Sequence, residues 1–515
     1  MIRKGLVIAV ILLIIGIAAA PTLDANITKN IKVKTTNNWI EEAKLLASDG
    51  EIYDEFGSNV AIDGKYAVIG APKDDDNGNN AGGAYIYQRN GENWNQVEKL
   101  LASDGKEGDK FGDAVSINED CIIIGARNDD DDIGDLAGSA YIYKHNGNNW
   151  TEEAKLIASD IDGGDKFGTS VDIYQDYAII GAPGNDDNGS DSGSAYIFKR
   201  CGEKWIEMEK LLASDGGYDF NFGLSVAIER DTALIGAPHG YGATYVFRYN
   251  GANWFEETKL NASDGQVGDK FGWSVSLNND YAVIGAIYDD DNGQNSGSAY
   301  IFNRGTLNWT EETKLLASDG DVDDVFGHSV SISGNYIIIG SPNDDDNGEY
   351  SGSAYVYRRN FSTWDEEKLL SSDGTAGDVF GDQVAIDGNY IIIAAREDDD
   401  IADNAGSAYI FKYPTDLSFV IEGGIGVRLS ITNEDMIKSV GVDWEIQVYG
   451  GIFDLINKTA DGIIDIESNE VAKVSSGIFI GLGLIDIKAT VNENVKTAKG
   501  IELLIFSLIG TNQEL

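Results

Sequence analysis

Six short segments of the chain carry runs of aspartate that could bind a metal ion. Adjacent carboxylates about 4 Å apart repel each other by roughly 1 kcal/mol even in water, and a bound cation would remove that cost. Ca²⁺ takes about six to eight oxygen ligands from carboxylates, amides and carbonyls, and these segments supply all three. The candidate Ca²⁺ ligands are Asp74, Asp75, Asp76, Asp129, Asp130, Asp131, Asp186, Asp187, Asp289, Asp290, Asp291, Asp344, Asp345, Asp346, Asp398, Asp399 and Asp400.

The spacing within these acidic loops differs from that of a standard Ca²⁺-binding loop. When Gly78 is aligned with the turn glycine of an EF-hand loop, Lys73 falls at the first ligand position. A second interpretation therefore stays open, in which the loops form a solvated acidic rim that keeps the protein soluble.

One stretch of the chain replaces acidic residues with aromatic ones. The acidic loop is missing between Pro238 and Ala243, and an aromatic residue stands at position 220, where comparable segments have aspartate. Aromatic rings with polar tips are suited to sugars or peptide side chains. The sequence therefore predicts a ligand-binding patch, with local packing in place of the lost loop as the alternative. The patch residues are Tyr218, Phe220, His239 and Tyr241.

The sequence offers little support for catalysis. The three histidines, His145, His239 and His328, stand at non-matching positions, so no histidine-based metal site or catalytic triad is visible. Paired carboxylates are common, but every pair recurs along the chain, whereas one catalytic centre rarely needs several copies. We therefore predict a protein that is not an enzyme, with a polysaccharide-active enzyme as the alternative.

These candidate residues belong to seven copies of one repeat of roughly 55 residues. Each copy contains a Phe-Gly pair, and the step between pairs is 54 to 56 residues except for one step of 49. Such a period is typical of architectures in which each unit packs against its neighbours. The seven phenylalanines are Phe56, Phe111, Phe167, Phe222, Phe271, Phe326 and Phe380.

Each repeat is predicted to form four short strands, as in a blade of a β-propeller. The repeat region opens on a strand of the fourth type, Trp39–Leu46, and closes on one of the third type, Ala408–Tyr413. The first strand can therefore complete the last blade and close the ring. An open stack of β-units is the alternative, but it would have no use for this offset.

Two recurrent acidic elements should share one face of the ring. The acidic loops join the second and third strands, and a Ser-Asp segment before each Phe-Gly pair joins the fourth strand to the next first strand. Strand alternation places both connections on the same side. The aspartates of the Ser-Asp segments, such as Asp49, and those two residues before the phenylalanine, such as Asp54, are expected to cap turns.

The repeats resemble the FG-GAP repeat of the integrin α-subunit propeller and its prokaryotic relatives. The Phe-Gly pairs are followed by Gly-Ala-Pro at Gly70–Pro72, Gly181–Pro183 and Gly236–Pro238, with degenerate forms elsewhere. The resemblance implies a seven-bladed propeller used for adhesion or ligand binding. Integrin relatives carry Ca²⁺ loops between the first and second strands, but here that hairpin is short (62–66), so those metal residues do not carry over.

Composition limits the partners that the chain could bind. The 515 residues include 86 acidic and 38 basic side chains, which gives a net charge of −48. A polyanion of this size should repel nucleic acids and anionic lipids. Cys121 and Cys201 lie in different repeats at non-matching positions, so a disulfide framework is not expected.

The two ends of the chain differ from the repeats. Residues 1–25 resemble a signal peptide or an N-terminal membrane anchor, with Arg3 and Lys4 before the apolar stretch Leu6–Ala20. Residues 26–38 are predicted to be a linker and residues 39–413 the propeller. The Phe-Gly period then stops, and the alternating runs of residues 415–515 predict an Ig-like β-sandwich.

Together these features predict an all-β protein, with a seven-bladed propeller followed by a β-sandwich, that is exported as a secreted or cell-surface binding module. The expected partner is an extracellular protein or glycan, with Ca²⁺ as the candidate cofactor. Contact with a membrane is expected only through the N-terminal anchor. A structural component of a surface layer is a further alternative.

Overall fold

The computed structural model describes residues 38–91, 93–130, 134–306, 308–360 and 363–414, together with the backbone of seven strands between 417 and 502. The predicted signal peptide or anchor (1–25) lies outside the described residues, as does nearly all of the predicted linker. Within the described part of the chain we find no helical segment with the length and hydropathy that a membrane span requires.

Seven four-stranded antiparallel sheets form the repeat region, and we number them as blades 1 to 7 in the order of the Phe-Gly pairs. The innermost strands are Asn59–Asp63, Phe111–Asn118, Ser170–Tyr174, Ser225–Glu229, Phe271–Asn278, Val330–Ser333 and Val384–Asp387. The second strands are Tyr66–Ala71, Cys121–Ala126, Tyr177–Ala182, Thr232–Ala237, Tyr281–Ala286, Tyr336–Ser341 and Tyr390–Ala395. The third strands are Gly83–Asn90, Ser139–His145, Ser194–Cys201, Ala243–Tyr249, Ser298–Arg304, Ser353–Asn360 and Ser407–Lys412. The outermost strands are Asn93–Leu100, Trp150–Leu156, Lys204–Leu211, Trp254–Leu260, Trp309–Leu315, Thr363–Leu369 and, for blade 7, Ile40–Leu45.

The hydrophobic pattern of each strand matches its place in the blade. The second strands are near-continuous apolar runs and are buried on both faces, as in Tyr66–Ala71. The outermost strands alternate buried and more exposed residues and carry glutamate and lysine, as in Trp309–Leu315. Charged side chains on an outer strand discourage pairing with another molecule.

The Phe-Gly pair holds neighbouring blades together. Phe56 is fully buried and packs edge-to-face against Tyr85 and Tyr87 of its blade, with ring centroids 5.3 and 6.2 Å apart. The glycine allows a close approach of two backbones, because a Cβ added at Gly112 would lie 2.3 Å from the carbonyl oxygen of Gly83. Gly112 also has a φ of 95°, which glycine adopts without strain.

The ring closes as the repeat phase predicts. Ile40–Leu45 pairs antiparallel with Ser407–Lys412, with Leu45 opposite Ala408. Next to this strand, Trp39 is buried with its ring centroid 5.5 Å from that of Tyr413. The predicted closed seven-bladed propeller is therefore confirmed, and the open stack is wrong.

Both acidic elements lie on one face, as predicted, and each links neighbouring blades. In blade 1 the backbone N–H groups of Gly108 and Phe111 donate to the carbonyl oxygens of Asn79 and Ala81, both at 2.9 Å. The acidic loop of blade 1 therefore runs beside the segment that leads into blade 2. We call the surface formed by the acidic loops and these Ser-Asp segments the loop face.

The C-terminal segment forms a compact unit of its own. Leu417–Glu422, Arg428–Asn433 and Val471–Ser475 form a three-stranded sheet. The four-stranded sheet contains Ser439–Gly450, Ile456–Ile466, Gly483–Val491 and Asn494–Glu502. These strands agree with the predicted β-rich segment. The side chains lie outside the described part of the chain, so the Ig-like sandwich stays a prediction.

Candidate functional site

A lysine from the outermost strand lies among the carboxylates of each blade on the loop face. In blade 1, Lys99 Nζ lies 2.6 Å from carboxylate oxygens of both Asp74 and Asp76 in the acidic loop. The same ammonium lies 2.9 Å from Asp49 in the Ser-Asp segment. One positive charge between three carboxylates replaces their mutual repulsion with attraction. We call this group a lysine cluster.

The lysine cluster recurs around the ring. Three carboxylates surround the lysine in blades 1, 5, 6 and 7, and two do so among the described residues of blades 2 and 3. All of these Nζ–oxygen distances lie between 2.5 and 2.9 Å. The lysines of blades 2, 3, 5, 6 and 7 are Lys155, Lys210, Lys314, Lys368 and Lys44.

A buried tyrosine of the third strand joins the two acidic elements. The Tyr85 hydroxyl lies 2.7 Å from Asp74 Oδ2 and 2.9 Å from Asp49 Oδ1. The ring lies under the ammonium, with Lys99 Nζ 5.1 Å from its centroid. Burial and the hydrogen bonds to Asp74 and Asp49 raise the pKa of Tyr85, so the hydroxyl keeps its proton. The equivalent tyrosines are Tyr141, Tyr196, Tyr245, Tyr300, Tyr355 and Tyr409.

The protonation states of the cluster follow from these contacts. Partial burial lowers the pKa of Lys99, but hydrogen bonds to Asp74, Asp76 and Asp49 outweigh it and raise the pKa above its ordinary value. Partial burial raises the pKa of Asp49, but hydrogen bonds from Lys99 and Tyr85 outweigh it and hold the pKa below its ordinary value. Lys99 and Asp49 are therefore both ionised at neutral pH.

The middle aspartate of the acidic loop has a different role. Asp75 Oδ1 accepts a hydrogen bond of 2.7 Å from the backbone N–H of Asn80 and so closes the loop. Asp186, Asp290 and Asp399 accept the equivalent bond at 2.7 to 2.8 Å. Asp130 and Asp345 are exposed at the same position, and Asp131 lies outside the described residues.

In the six repeats that have an aspartate two residues before the Phe-Gly pair, this aspartate caps a turn, as expected. Asp54 is buried, and its Oδ2 accepts a 2.7 Å hydrogen bond from the backbone N–H of Glu51. Burial is the main reason that the pKa of Asp54 rises to about 6, and the nearby charge of Asp74 adds to the effect. The Ser-Asp aspartates, expected to cap turns as well, instead contribute their side chains to the lysine clusters.

The candidate Ca²⁺ ligands are thus brought close together, but around a lysine ammonium. The first and third aspartates of the loop contact the lysine, and in four loops the middle one bonds the backbone. Across the described residues, no group of three or more histidine, cysteine or acidic side chains is arranged to hold a metal ion. The arrangement does not fit a Ca²⁺ site of the required oxygen number, and Ca²⁺ binding stays a prediction.

Blade 4 departs from this pattern. It lacks the acidic loop, and Lys259 Nζ contacts one carboxylate, that of Asp215, at 2.8 Å. Phe220 takes part of the vacated space, since its ring centroid lies 5.8 Å from Lys259 Nζ. Blade 3 is intermediate, because Asn185 replaces the first aspartate and its Nδ2 donates to Asp165 at 3.1 Å.

The predicted aromatic patch divides into two kinds of residue. Phe220 is partly buried and packs against the hydrophobic core between blades 3 and 4. Tyr218 and Tyr241 are 78% and 70% exposed, and no ring contact joins them among the described residues. His239 Nδ1 lies 3.0 Å from Asp219 Oδ1, which fixes the imidazole beside the loop.

Exposed apolar side chains concentrate on the loop face. Of the fifteen large apolar residues that the described part of the chain exposes, ten belong to the two loop types of this face. The other five lie in, or directly beside, the outermost strands. The ten residues are Ile52, Tyr53, Leu136, Tyr218, Tyr241, Val267, Tyr288, Val322, Tyr350 and Ile401.

The role of the lysines was not predicted from the sequence, although their position in the repeat is constant. In every repeat a lysine stands five residues before the aspartate of the Ser-Asp segment, as Lys99 does before Asp104. A charge on an outermost strand is adequately explained by exposure to solvent, so the pattern predicted edge protection only. The pairing became visible once the fold placed Lys99 beside Asp49 and Asp74.

Comparison with protein families agrees with this geometry. The family model described as FG-GAP repeat matches seven segments, 39–87, 94–143, 150–198, 205–247, 254–302, 309–357 and 364–411. The chain belongs to the FG-GAP repeat family. These FG-GAP repeats cover more than half of the chain, one match for each blade. None of the curated proteins searched matches this chain.

Proposed function

We propose that this FG-GAP propeller is a non-catalytic binding or adhesion module that is exported and acts at the cell surface or outside the cell. The loop face is its binding surface. The concentration of exposed apolar side chains on that face is the observation that carries the proposal. Interfaces of this kind are enriched in aromatic residues at their centre and have a polar rim.

The lysine clusters make the loop face suitable for binding. Each lysine offsets one of the carboxylate charges around it, so a partner meets less negative charge than the acidic loops alone would present. Apolar side chains such as Tyr350 and Ile401 stand beside these clusters in the same loops. A partner could bury them while the charged groups stay at a solvent-accessible rim, where they keep their hydration.

The fourth blade is the proposed centre of this surface. Loss of its acidic loop removes three carboxylates and leaves Tyr218 and Tyr241 exposed. Tyrosine provides a large contact area together with a hydroxyl group, and it is enriched among residues that dominate binding energy. We expect an extracellular protein or glycan as the partner. Cation stabilisation is proposed to come from the internal lysines rather than from Ca²⁺.

The test is a binding screen of the purified full chain on glycan and protein arrays, repeated with Ca²⁺ and with a chelator. We expect binding without turnover, lost or weakened at least about tenfold when Tyr218→Ala and Tyr241→Ala are combined. The matched control combines Ile206→Ala with Phe255→Ala, two exposed apolar residues of outermost strands. Equal losses in both variants, or release of a cleaved product, would contradict the proposal.

Export needs its own measurement. Surface labelling or external protease treatment of intact cells should reach the propeller, because the chain begins with a predicted signal peptide or anchor. A chain found only inside intact cells would contradict the proposed location while leaving the binding role open to the array test.

A further inference from the structure

The loop face also contains a cavity at the propeller axis. It has a volume of about 540 Å³ and is lined by the beginnings of the innermost strands of all seven blades. We call it the axial pocket. Ligand pockets in proteins typically have volumes of about 300–1,000 Å³, so the axial pocket can hold a small ligand or the end of a larger one.

The axial pocket concentrates basic groups in a strongly acidic protein. Four basic side chains and two acidic ones line it, although the chain as a whole has a net charge of −48. Three of the basic groups have carboxylate partners: Lys73 Nζ lies 2.6 Å from Glu55, and Arg127 Nε lies 3.1 Å from Asp113. Arg396 Nε lies farther from its partners, 3.6 Å from Asp382 and 3.8 Å from Glu397, and the fourth basic group is Lys110.

Arg396 is incompletely satisfied. Its Nε is buried without a hydrogen bond, and the nearest oxygen of the buried Asp382 lies 3.6 Å away. The side chain as a whole is 38% exposed, so a ligand would meet the outer nitrogens of the guanidinium rather than this buried atom, which faces Asp382. Guanidinium groups bind carboxylates through two parallel hydrogen bonds, so Arg396 and Arg127 favour an anionic ligand.

The opposite side of the axial pocket is less charged in its residue types and partly aromatic. Blades 3 to 6 contribute Thr169, Leu224, Trp273 and His328. The Trp273 and His328 rings lie against each other, with centroids 5.9 Å apart. An aromatic face of this kind packs against the apolar face of a sugar ring while the ring hydroxyls stay hydrated.

The repeat symmetry breaks at this pocket. The residue that follows the Phe-Gly pair is of six different types in the seven blades, although the pair itself is present in all of them. These residues are Ser58, Asp113, Thr169, Leu224, Trp273, His328 and Asp382. A ring of seven similar blades therefore contains one charged side and one aromatic side, which is what a single oriented ligand requires.

A groove extends the pocket toward blade 4. A neighbouring cavity of about 330 Å³ shares Arg127, Thr169 and Leu224 with it. This cavity continues past Lys166 and Asp191 to Asn221, which directly follows Phe220 in the altered loop of blade 4. The combined shape suits an elongated ligand that carries more than one negative charge.

We propose that the axial pocket and its groove bind an acidic saccharide, with a carboxylate at Arg127 and Arg396 and a sugar ring on Trp273. This inference rests on the proposed binding function and names the ligand class. The pocket charges act at short range, because salt screens the acidic surface beyond about 8 Å at physiological ionic strength.

The experiment titrates the full chain with a short oligogalacturonate and with a neutral galactan oligosaccharide of the same length, using calorimetry. We expect saturable binding of the acidic saccharide and at least about tenfold weaker binding of the neutral one. Combining Arg127→Gln with Arg396→Gln should weaken binding of the acidic saccharide at least about tenfold. The control combines Lys204→Gln with Arg230→Gln, which removes two positive charges on other surfaces and should leave binding unchanged.

A second measurement uses the unaltered chain, so that its result does not depend on whether the arginine variants fold. The indole N–H resonance of Trp273, assigned by its loss in Trp273→Phe, should shift with oligogalacturonate and stay fixed with the neutral sugar. Equal affinity for the two sugars, no binding of either, or preference for an oligo-aspartate peptide would overturn the proposal. If the arginine variant loses the saccharide but still adheres to cells, the binding module stands and the axial pocket is not its adhesion site.

Discussion

Blades 1 and 4 contain the same lysine and tyrosine but different loops. In blade 1, Lys99 contacts three carboxylates, whereas Lys259 of blade 4 contacts the carboxylate of Asp215 and lies over the ring of Phe220. The lysine–tyrosine pair and the Ser-Asp aspartate are therefore the constant part of the repeat. The acidic loop is an addition whose carboxylates contact the lysine, and blade 4, which lacks this loop, has exposed aromatic residues on the same face.

The largest effect is expected at blade 7, where the lysine of the cluster comes from the other end of the repeat region. A chain that begins at residue 47 lacks the strand Ile40–Leu45, and with it Lys44 and the buried Leu45. We expect loss of cooperative unfolding and aggregation through the uncovered strand Ser407–Lys412. A chain that begins at residue 38 should stay folded. Circular dichroism and gel filtration compare the two chains. Similar behaviour would contradict the view that pairing of the first strand with Ser407–Lys412 closes the ring.

Replacing the lysine should affect a blade that has the acidic loop more than blade 4, which lacks it. Lys99→Met leaves the buried Asp74 without its cation beside two other carboxylates, and we expect a loss of about 3 kcal/mol in unfolding free energy. Lys259→Met removes the charge partner of one carboxylate, Asp215, which is more than half exposed, so the expected loss is about 1 kcal/mol or less. Denaturant unfolding measures both. Equal losses would mean that the acidic loop does not depend on the lysine.

Stability should rise as the pH falls from about 7 toward 4. Burial, aided by nearby aspartates, raises the pKa of Asp54, Asp109 and Asp324 to about 6 in the folded state, against an ordinary value near 4. In this range the folded state binds more protons than the unfolded state, so protonation stabilises it. Below about 4 the trend reverses, because aspartates such as Asp49, whose pKa is lowered, lose their charge.

Unfolding midpoints at pH 7 and pH 5 check this prediction. Combining Asp54→Asn, Asp109→Asn and Asp324→Asn should make stability nearly independent of pH between these values. The amide oxygen of each asparagine can still accept the backbone hydrogen bond of the turn. A flat profile in the unaltered chain would show that these carboxylates are ionised in the fold as they are in water.

The smallest effect on stability is expected for the exposed residues of blade 4. Tyr218→Ala and Tyr241→Ala should each change the unfolding free energy by less than about 0.5 kcal/mol. Phe220→Ala should cost at least about 1 kcal/mol, because this ring packs against the core. Thermal unfolding of the three variants measures these changes. A large loss of stability in Tyr218→Ala would show that Tyr218 contributes to packing rather than to binding.

The repeated part of the fold was predictable from the sequence because each blade repeats the same local pattern. The seven Phe-Gly pairs predicted the number of blades, and apolar runs such as Tyr66–Ala71 predicted the buried strands. The offset between Trp39 and Tyr413 predicted how the ring closes. The face shared by the acidic elements followed from strand alternation.

The site was less predictable, because its contacts join residues that are far apart in the chain. Lys44 and Asp373 are 329 positions apart, and no local pattern pairs them. The axial pocket depends on residues such as Trp273 and Arg396 that do not repeat, so they carried no periodic signal. Some backbone conformations were also not predictable. Val325 and Val379, which directly precede the phenylalanines of their repeats, have φ values of 52° and 53°. Branched residues rarely adopt such positive values.

The most direct test of this account is a calorimetric titration of the chelator-treated full chain with Ca²⁺. If the lysines neutralise the acidic loops, we expect no saturable heat and no rise in melting temperature at millimolar Ca²⁺. Saturable binding of several ions per chain, with a higher melting temperature, would contradict the account, because the ions would have to displace the lysines from Asp74 and its counterparts.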